Sequence, residues 1–404
     1  MGYQCIPVAS NARLARIRTA SFWQTLPMAR HNGRTARDCH RLAKGKGHRP
    51  YPSWSRLFSS QKSKISMQAS TPNGAVASGA RRSAKPSELI FLGTGTSGNV
   101  PNIYCLTQEV PDCEVCLEAM QVSVPEGPGH AGVLPKTPVF GKNRRRNTSA
   151  VVRYMHSDGR ERTILIDCGK TFYESALTWF VAHRLRRIDA VLITHGHADA
   201  MLGLDDLRQW TIGGADRSVQ DHIDVYLSCA AMEVVARAFP YLVDKKKATG
   251  GGEVPSLRFH QFDGPEMGGK LAPFWIEEME VVPLEVEHGK DSHGVFMSLG
   301  FKFGDLSYIS DASLIPEPTR ALVKGCKVLV VDALHYGMHS SHLSIDEAVK
   351  ECSELVAPGG EAYLTGFSHR VNHAKLEAEL GDNLTLRKAN VSAWPAYDGL
   401  RVKL

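Results

Sequence analysis

Short apolar runs separated by polar turns predict most of the secondary structure of this chain. Apolar runs of roughly four to eight residues are typical of buried strands, and an apolar face that repeats every three to four residues predicts a helix. The predicted strands cover 88–93, 148–154, 163–166, 190–194, 280–286, 296–303, 307–309, 327–332 and 362–365. The predicted helices cover 172–185, 230–242, 344–356 and 372–381. Strands in clusters with interspersed helices predict an α/β or layered α+β domain with a sheet core.

Charge divides the chain into two parts. Residues 1–87 hold 16 Lys and Arg against one acidic residue, Asp38, whereas residues 88–404 hold 32 basic against 41 acidic residues. A basic segment that is rich in Arg, Ser and Ala is typical of a mitochondrial transit peptide, and the alternative is a disordered tail on a cytoplasmic protein. We therefore expect a transit peptide or tail with a linker at 1–87 and one folded domain at 88–404.

The composition limits the partners that we expect. Hydrophobic residues make up 43% of the chain and charged residues 22%, which is ordinary for a globular protein. No apolar run approaches the ~20 residues of a membrane span, so we expect no membrane partner. Nucleic acid is not favoured, because the domain at 88–404 is acidic and phosphate contacts need clustered Lys and Arg. The composition predicts no oligomeric state.

The strongest chemical signal is the segment Thr194-His195-Gly196-His197-Ala198-Asp199. It follows a short apolar strand, so His195 lies at the carboxyl end of that strand. Residues two apart in an extended segment point the same way, and His195 and His197 can therefore bind one ion beside Asp199. Imidazole and carboxylate ligands suit Zn, Mn or Fe. The segment therefore predicts a metal site.

Five segments resemble, in order, the motifs of the metallo-β-lactamase superfamily. They are Leu165–Gly169, the histidine segment, His288, Asp311 after Tyr308-Ile309-Ser310, and Leu364–Gly366. The resemblance covers residues 88–404 and implies a four-layer αβ/βα sandwich that hydrolyses its substrate with a metal. Within the superfamily, the chain most resembles the phosphoribosyl cyclic phosphate phosphodiesterase branch: 91–97 is similar to this branch and to the transfer-RNA endonucleases alike, and 397–402 is also similar to the phosphodiesterase. A wider similarity is to the transfer-RNA 3′-end endonucleases.

This resemblance implies a role for each matched residue. His195, His197, His288 and Asp311 would hold a catalytic Zn²⁺ or Mn²⁺ ion, and Asp199 would help to hold a second ion and orient the attacking water. Asp167 would orient a metal-binding histidine, and His342 would protonate the leaving oxygen or stabilise the transition state.

Two positions depart from the family pattern. Ala200 and Gly366 stand where the family has histidine ligands of the second ion, so we expect one catalytic ion and a doubtful second one. His373 is either a replacement ligand or an exposed residue at the start of helix 372–381.

Cysteines and arginines supply two further candidate sites. Cys113 and Cys116 form a C-x-x-C pair that indicates a reducing compartment and a metal. The resemblance adds Cys105 and His369 and implies a structural zinc, and the alternative is three unrelated thiols. Arginine binds phosphate bidentately, so a basic loop is a candidate for substrate binding, with a solvated charge run as the alternative. Its residues are Arg144, Arg145 and Arg146.

These features together predict a metal-dependent hydrolase. The resemblance favours a phosphodiesterase that acts on a small cyclic phosphate or phosphodiester through a metal-activated water. One alternative is an RNA 3′-end processing nuclease. The other is a non-catalytic protein that binds metal with a degenerate second site.

Overall fold

The computed structural model describes residues 82–123, 139–213, 217–264 and 269–404. Residues 1–81, which make up nearly all of the predicted transit peptide or tail, lie outside this part. No helix in the described ranges combines the length and the apolar character that crossing a bilayer requires.

The observed elements follow the alternation that the sequence predicts. The strands are β1 (Pro86–Gly93), β2 (Val122–Ser123), β3 (Val139–Phe140), β4 (Ser149–Met155), β5 (Glu161–Ile166), β6 (Ala190–Leu192), β7 (Ile223–Leu227), β8 (Leu257–Gln261), β9 (Phe274–Ile276), β10 (Met279–Asp291), β11 (Gly294–Phe303), β12 (Leu306–Ile309), β13 (Cys326–Asp332), β14 (Val356–Thr365), β15 (Ser392–Pro395) and β16 (Arg401–Lys403). The α-helices are α1 (Ile103–Leu106), α2 (Glu114–Ala119), α3 (Phe172–Ala182), α4 (Ala198–Met201), α5 (Arg208–Thr211), α6 (Cys229–Ala238), α7 (Pro240–Val243), α8 (Glu317–Val323), α9 (Ile345–Leu355), α10 (His373–Asp382) and α11 (Leu384–Ala389). Short 3₁₀ helices span Leu202–Leu207 and Lys245–Lys247.

Within the described ranges, the strands form two seven-stranded sheets and a two-stranded ribbon, β2–β3. The first sheet has the order β16-β1-β4-β5-β6-β7-β8, and the second has the order β15-β14-β13-β12-β11-β10-β9. Strands β5 to β8 run parallel, as do β12 to β15. The loops that follow these parallel strands therefore leave the same edge of each sheet.

Alternating side chains on the strands create the layers. Leu89 and Phe91 of β1 pack into the core between the sheets, together with Phe301 and Val330 of the second sheet. Successive side chains of a strand point to opposite faces, so Ile90 of the same strand faces outward.

Helices cover the outward face of each sheet. The outward residues of the first sheet pack under α3 and α6, and those of the second sheet pack under α9 and α10. This arrangement confirms the predicted four-layer αβ/βα sandwich.

The helix predicted at 230–242 is not continuous in the structure. It is divided into α6 and α7, because Pro240 lacks the N–H that a continuing helix requires and instead begins the next helix. Seven strands were not predicted: β2, β3, β7, β8, β9, β15 and β16. In β8 no residue is fully buried, so its sequence lacks the apolar run that marks an interior strand.

Candidate metal centre

Three histidines meet at the sheet edges. His195 follows β6, His197 precedes α4, and His288 lies in β10 at a register irregularity between Glu287 and Lys290. One nitrogen of each imidazole lies within 4.8 Å of the other two. The ring centroids are 4.5 to 5.2 Å apart. Three imidazoles on one side of an ion are a typical catalytic zinc set, which leaves further positions for substrate and water.

Hydrogen bonds orient two of these rings. His288 Nδ1 lies 2.7 Å from the backbone oxygen of Ser341, which can only accept, so Nδ1 carries the proton and Nε2 keeps its lone pair. His195 Nδ1 lies 2.8 Å from Thr194 Oγ1. Its Nε2 is buried and has no hydrogen-bond partner in the described part of the chain. Burial lowers the pKa of His195 to about 3, which keeps the ring neutral, as a metal ligand must be.

Asp167 is connected to His195 through hydrogen bonds with Thr194. It accepts hydrogen bonds from the backbone nitrogen and the hydroxyl of Thr194, both at 2.8 Å. The hydroxyl of Thr194 thus connects the carboxylate of Asp167 to His195. Burial raises the pKa of Asp167 well above its ordinary value, and the bonds from Thr194 oppose that shift. A cation held by His195 would favour the charged form in the same way.

The two carboxylates of the predicted ligand set occupy different positions. Asp311 follows β12, and one of its oxygens lies within 4.8 Å of ligand nitrogens of His288 and His342. Asp311 is not in the group formed by the three histidines. The four predicted ligands of the first ion are therefore divided between two groups that share His288, and the second group also contains His342. Asp199 lies in the first turn of α4, and burial followed by repulsion from Asp311 raises its pKa.

His342 forms an ion pair with a residue that the sequence reasoning missed. Its Nδ1 lies 2.8 Å from Oδ2 of Asp332, a fully buried carboxylate at the end of β13. Burial lowers the pKa of His342, but Asp332 and then Asp311 raise it to about 9. The available signal was that β13, like β5, leads into an aspartate at its carboxyl end. The neighbouring His339 instead accepts a local hydrogen bond from the backbone of Ser341.

The positions that lack the second-ion histidines differ in backbone geometry. Ala200 is buried within α4. Gly366 has φ +79°, and a Cβ there would lie 2.5 Å from Oδ1 of Asp332. A histidine at Gly366 therefore requires both an unfavourable backbone conformation and a displaced carboxylate.

His373 is neither exposed nor part of the histidine cluster. Only 2% of it is exposed, because it shares the buried face of α10 with Leu376 and Leu380. Its ring centroid lies 5.6 Å from that of Tyr397, and burial lowers its pKa to about 3. The expectation that His373 lies on an exposed helix start is therefore wrong.

The predicted cysteine site is brought together from distant parts of the chain. His369 Nδ1 lies 3.4 Å from Cys105 Sγ and 3.6 Å from Cys113 Sγ, and Cys116 completes a group whose ligand atoms lie within 4.8 Å of one another. Burial raises the pKa of the Cys116 thiol to about 12. Three thiols beside one imidazole fit a closed tetrahedral Zn²⁺ site, whose cation would stabilise the thiolates.

The three arginines are not grouped in the cleft as expected. Arg145 is fully buried and donates to the backbone oxygen of Ser368 and to Asn143 Oδ1. Arg146 is 6% exposed, and its backbone nitrogen donates to Asp398. The expectation that Arg145 and Arg146 reach a substrate is not met, because these guanidinium groups lie inside the fold. Arg144 is half-buried.

Comparison with known proteins identifies the family of this chain. A family model described as a β-lactamase superfamily domain matches residues 162–366, half of the chain. The chain therefore belongs to the β-lactamase superfamily, which confirms the resemblance, and its fold is that of the metallo-β-lactamase hydrolases.

Three individual proteins are similar. The structure of a diphosphatase from the PhnP family is 25% identical, covers 79% of this chain and 98% of that one, and has a TM-score of 0.57. Zn²⁺-bound PqqB from Methylobacterium extorquens is 16% identical, covers 78% and 100%, and with a TM-score of 0.52 supports the fold alone. An octanoyltransferase of Porphyromonas gingivalis is 28% identical over 314 residues, which are 77% of this chain. The chain spans about half the length of that curated relative.

Proposed function

We propose that the chain is a metal-dependent phosphodiesterase that acts on a small phosphodiester or cyclic phosphate. The observation that carries this proposal is the convergence of His195, His197 and His288 beside the acid pair of His342 and Asp332. The buried Nε2 of His195 has no hydrogen-bond partner among the described residues, which leaves it available to an ion. The similarity to a diphosphatase of the PhnP family supports chemistry at phosphorus. The octanoyltransferase name belongs to a protein of which this chain spans only half.

Each residue has a distinct task in this reaction. A divalent ion held by the three histidines, Zn²⁺ or Mn²⁺, would supply Lewis acidity and activate water for attack on phosphorus, and Asp311 would join this set from the side of His288. Asp199 accepts the proton of that water or fixes its orientation. His342 holds its Nδ1 proton toward Asp332, which leaves Nε2 to donate a proton to the departing ester oxygen.

The side chain of Lys290 would bind the phosphate in place of the buried arginines. Lys290 lines a cavity of 330 Å³ together with His197, His288 and Ser341. An ammonium group there would interact with the phosphate oxygens as a point charge.

Hydrolysis of bis(p-nitrophenyl) phosphate by the metal-loaded protein tests the proposal. His197→Ala is expected to abolish the activity, because a ligand of the ion is lost. His260→Ala is the matched control, since this exposed histidine pairs with Asp224 on the first sheet. Full metal occupancy without hydrolysis would favour the non-catalytic alternative. Faster cleavage of RNA 3′ extensions than of small diesters would favour the nuclease.

We also propose that residues 1–87 direct import into mitochondria. The support is their 16 basic residues against one acidic residue. Mass spectrometry of the endogenous protein tests this, and an intact Met1 in a cytosolic fraction would refute it.

A further inference from the structure

Two cavities meet at the histidine cluster. The larger has a volume of 560 Å³ and lies between α6 and β11, and the smaller has a volume of 330 Å³. His197 and Phe296 line both. The ring of Phe296 stacks on that of His197, with centroids 4.7 Å apart and planes at 7°. A substrate bound at the ion could therefore extend to either side of this stacked pair.

The two cavities differ in chemistry. Ala231 and Val234 of α6 and Met297 and Leu299 of β11 give the larger cavity apolar walls. Asp263 also lines this cavity and accepts a hydrogen bond from the backbone nitrogen of Cys229, and the exposed Lys270 and Glu285 complete its polar lining. The smaller cavity contains Lys290, Asp291 and two serines. An ionic group suits the small cavity, and an apolar group suits the large one.

The volume of the larger cavity also indicates the size of the group that it binds. Ligand pockets range from roughly 300 to 1,000 Å³, and a phosphate group alone needs only a small part of 560 Å³. We propose that the larger cavity binds a flat, apolar ester group of the substrate, such as an aryl group, while the phosphate contacts the ion and Lys290. This inference rests on the proposed function and specifies its substrate class as diesters with an apolar arm.

Equilibrium binding of phosphonates tests the assignment of the larger cavity independently of catalysis. We would titrate the metal-loaded protein with methylphosphonate, phenylphosphonate and 2-naphthylphosphonate by calorimetry. Burying a phenyl ring in an apolar site is expected to lower Kd by about tenfold or more relative to methyl, and the naphthyl group should lower it further. Ala230→Trp fills the cavity from the first turn of α6 and should remove this gain. Ala238→Trp, at the exposed end of the same helix, should retain it.

Equal Kd values for the three phosphonates, or an unchanged aryl gain in Ala230→Trp, would overturn the inference. The two proposals can fail separately, since aryl-selective binding without hydrolysis contradicts only the phosphodiesterase. Hydrolysis without aryl selectivity contradicts only the cavity assignment.

A second inference concerns Arg145, which the catalytic site does not use. The side chain is 0% exposed, and its two hydrogen bonds, to the oxygen of Ser368 at 2.9 Å and to Asn143 Oδ1 at 3.0 Å, go to uncharged acceptors. The guanidinium also lies over the ring of Phe367. Its Nε has no hydrogen-bond partner among the residues described.

A buried cation without an opposing charge is strongly unfavourable. Burial lowers the pKa of Arg145 to about 10, and the groups that oppose this shift are Asp398 and Cys116. Asp398 already accepts hydrogen bonds from Thr94 and from the backbone of Arg146. Three thiolates and one Zn²⁺ carry a net charge of −1, which matches the charge of one guanidinium.

The structure assigns Arg145 as the counter-charge and positioning residue of the cysteine–histidine zinc site. Its bond to Ser368 holds the residue directly before the ligand His369. The same side chain therefore balances the charge of the site and fixes the segment that closes it.

Zinc affinity, measured by competition with a chromophoric chelator, tests this assignment without reference to activity. Arg145→Met is expected to weaken zinc binding by about 10–100-fold, as is typical when a supporting group is lost. Arg145→Lys retains the charge and should recover most of the affinity, which a purely structural role would not predict. Arg153→Met removes another mostly buried arginine, which pairs with Glu88, and should leave zinc affinity unchanged. Unchanged affinity in Arg145→Met, or equal losses in the Met and Lys variants, would overturn the assignment.

Discussion

Replacing Thr194 by valine tests how the metal centre is held. The hydroxyl of Thr194 lies 2.8 Å from Asp167 Oδ2 and 2.8 Å from His195 Nδ1. A carboxylate can only accept, so the hydroxyl donates to Asp167 and accepts from His195 Nδ1. This direction leaves His195 Nε2 unprotonated for the ion. Valine retains the shape of the side chain and removes only this connection.

Two effects are expected from the loss of that hydroxyl. Asp167 Oδ2 would remain buried without its partner, which should lower the free energy of unfolding of the metal-free protein by about 1–3 kcal/mol. His195 would lose the group that fixes its tautomer, and metal affinity should fall by about 10–100-fold. The backbone bond from Thr194 to Asp167 Oδ1 remains, so the loop should keep its path.

Urea unfolding of the metal-free protein and chelator competition measure the two effects separately. Thr319→Val is the control, because this buried hydroxyl donates to the backbone oxygen of Glu285. The control should lose stability without a change in the affinity of the catalytic ion. Equal metal affinity in Thr194→Val and the unmodified protein would refute the relay through the hydroxyl.

Three further predictions concern the cysteine site, the backbone and the acid. Cys113→Ser should release one zinc from about two tightly bound metals per chain and lower the Tm. The control Cys352→Ser, on the buried face of α9, should lower the Tm at constant zinc content by elemental analysis. Gly366→Ala should lower the free energy of unfolding by more than about 1 kcal/mol, and by more than Gly159→Ala, where φ is +80° but a Cβ meets no atom within 4 Å. Equal losses would show that Asp332 is not displaced. His342→Gln should lower kcat with little change in metal content, and loss of the catalytic ion would instead make this residue a ligand.

Local patterns predicted the parts of the site that depend on short sequence distances. His195 and His197 stand two residues apart after an apolar strand, so their common direction follows from strand geometry. Asp332 and Phe296 were missed because their roles depend on contacts with residues far along the chain. Asp332 becomes part of the site only when the loop after β13 returns His342 to its carboxylate.

Burial explains the expectations that were not met. Arg145 and His373 are polar residues that a sequence alone places at the surface, yet the fold buries both. Gly366 shows that the identity of a residue does not reveal its backbone conformation. Its identity indicates a missing ligand, but its positive φ and its closeness to Asp332 emerge only from the backbone path.

The position of β1 has a consequence for the order of folding. This strand lies between β4 and β16, and Arg401 donates to Glu88, 313 positions earlier in the chain. Contacts between such distant positions form slowly, because the intervening chain must first lose much of its freedom. Until β16 docks, β1 presents an open edge of unpaired backbone groups next to a strongly apolar segment. Such an edge favours pairing with other chains, so aggregation during refolding should depend on how quickly residues 401–403 reach their place.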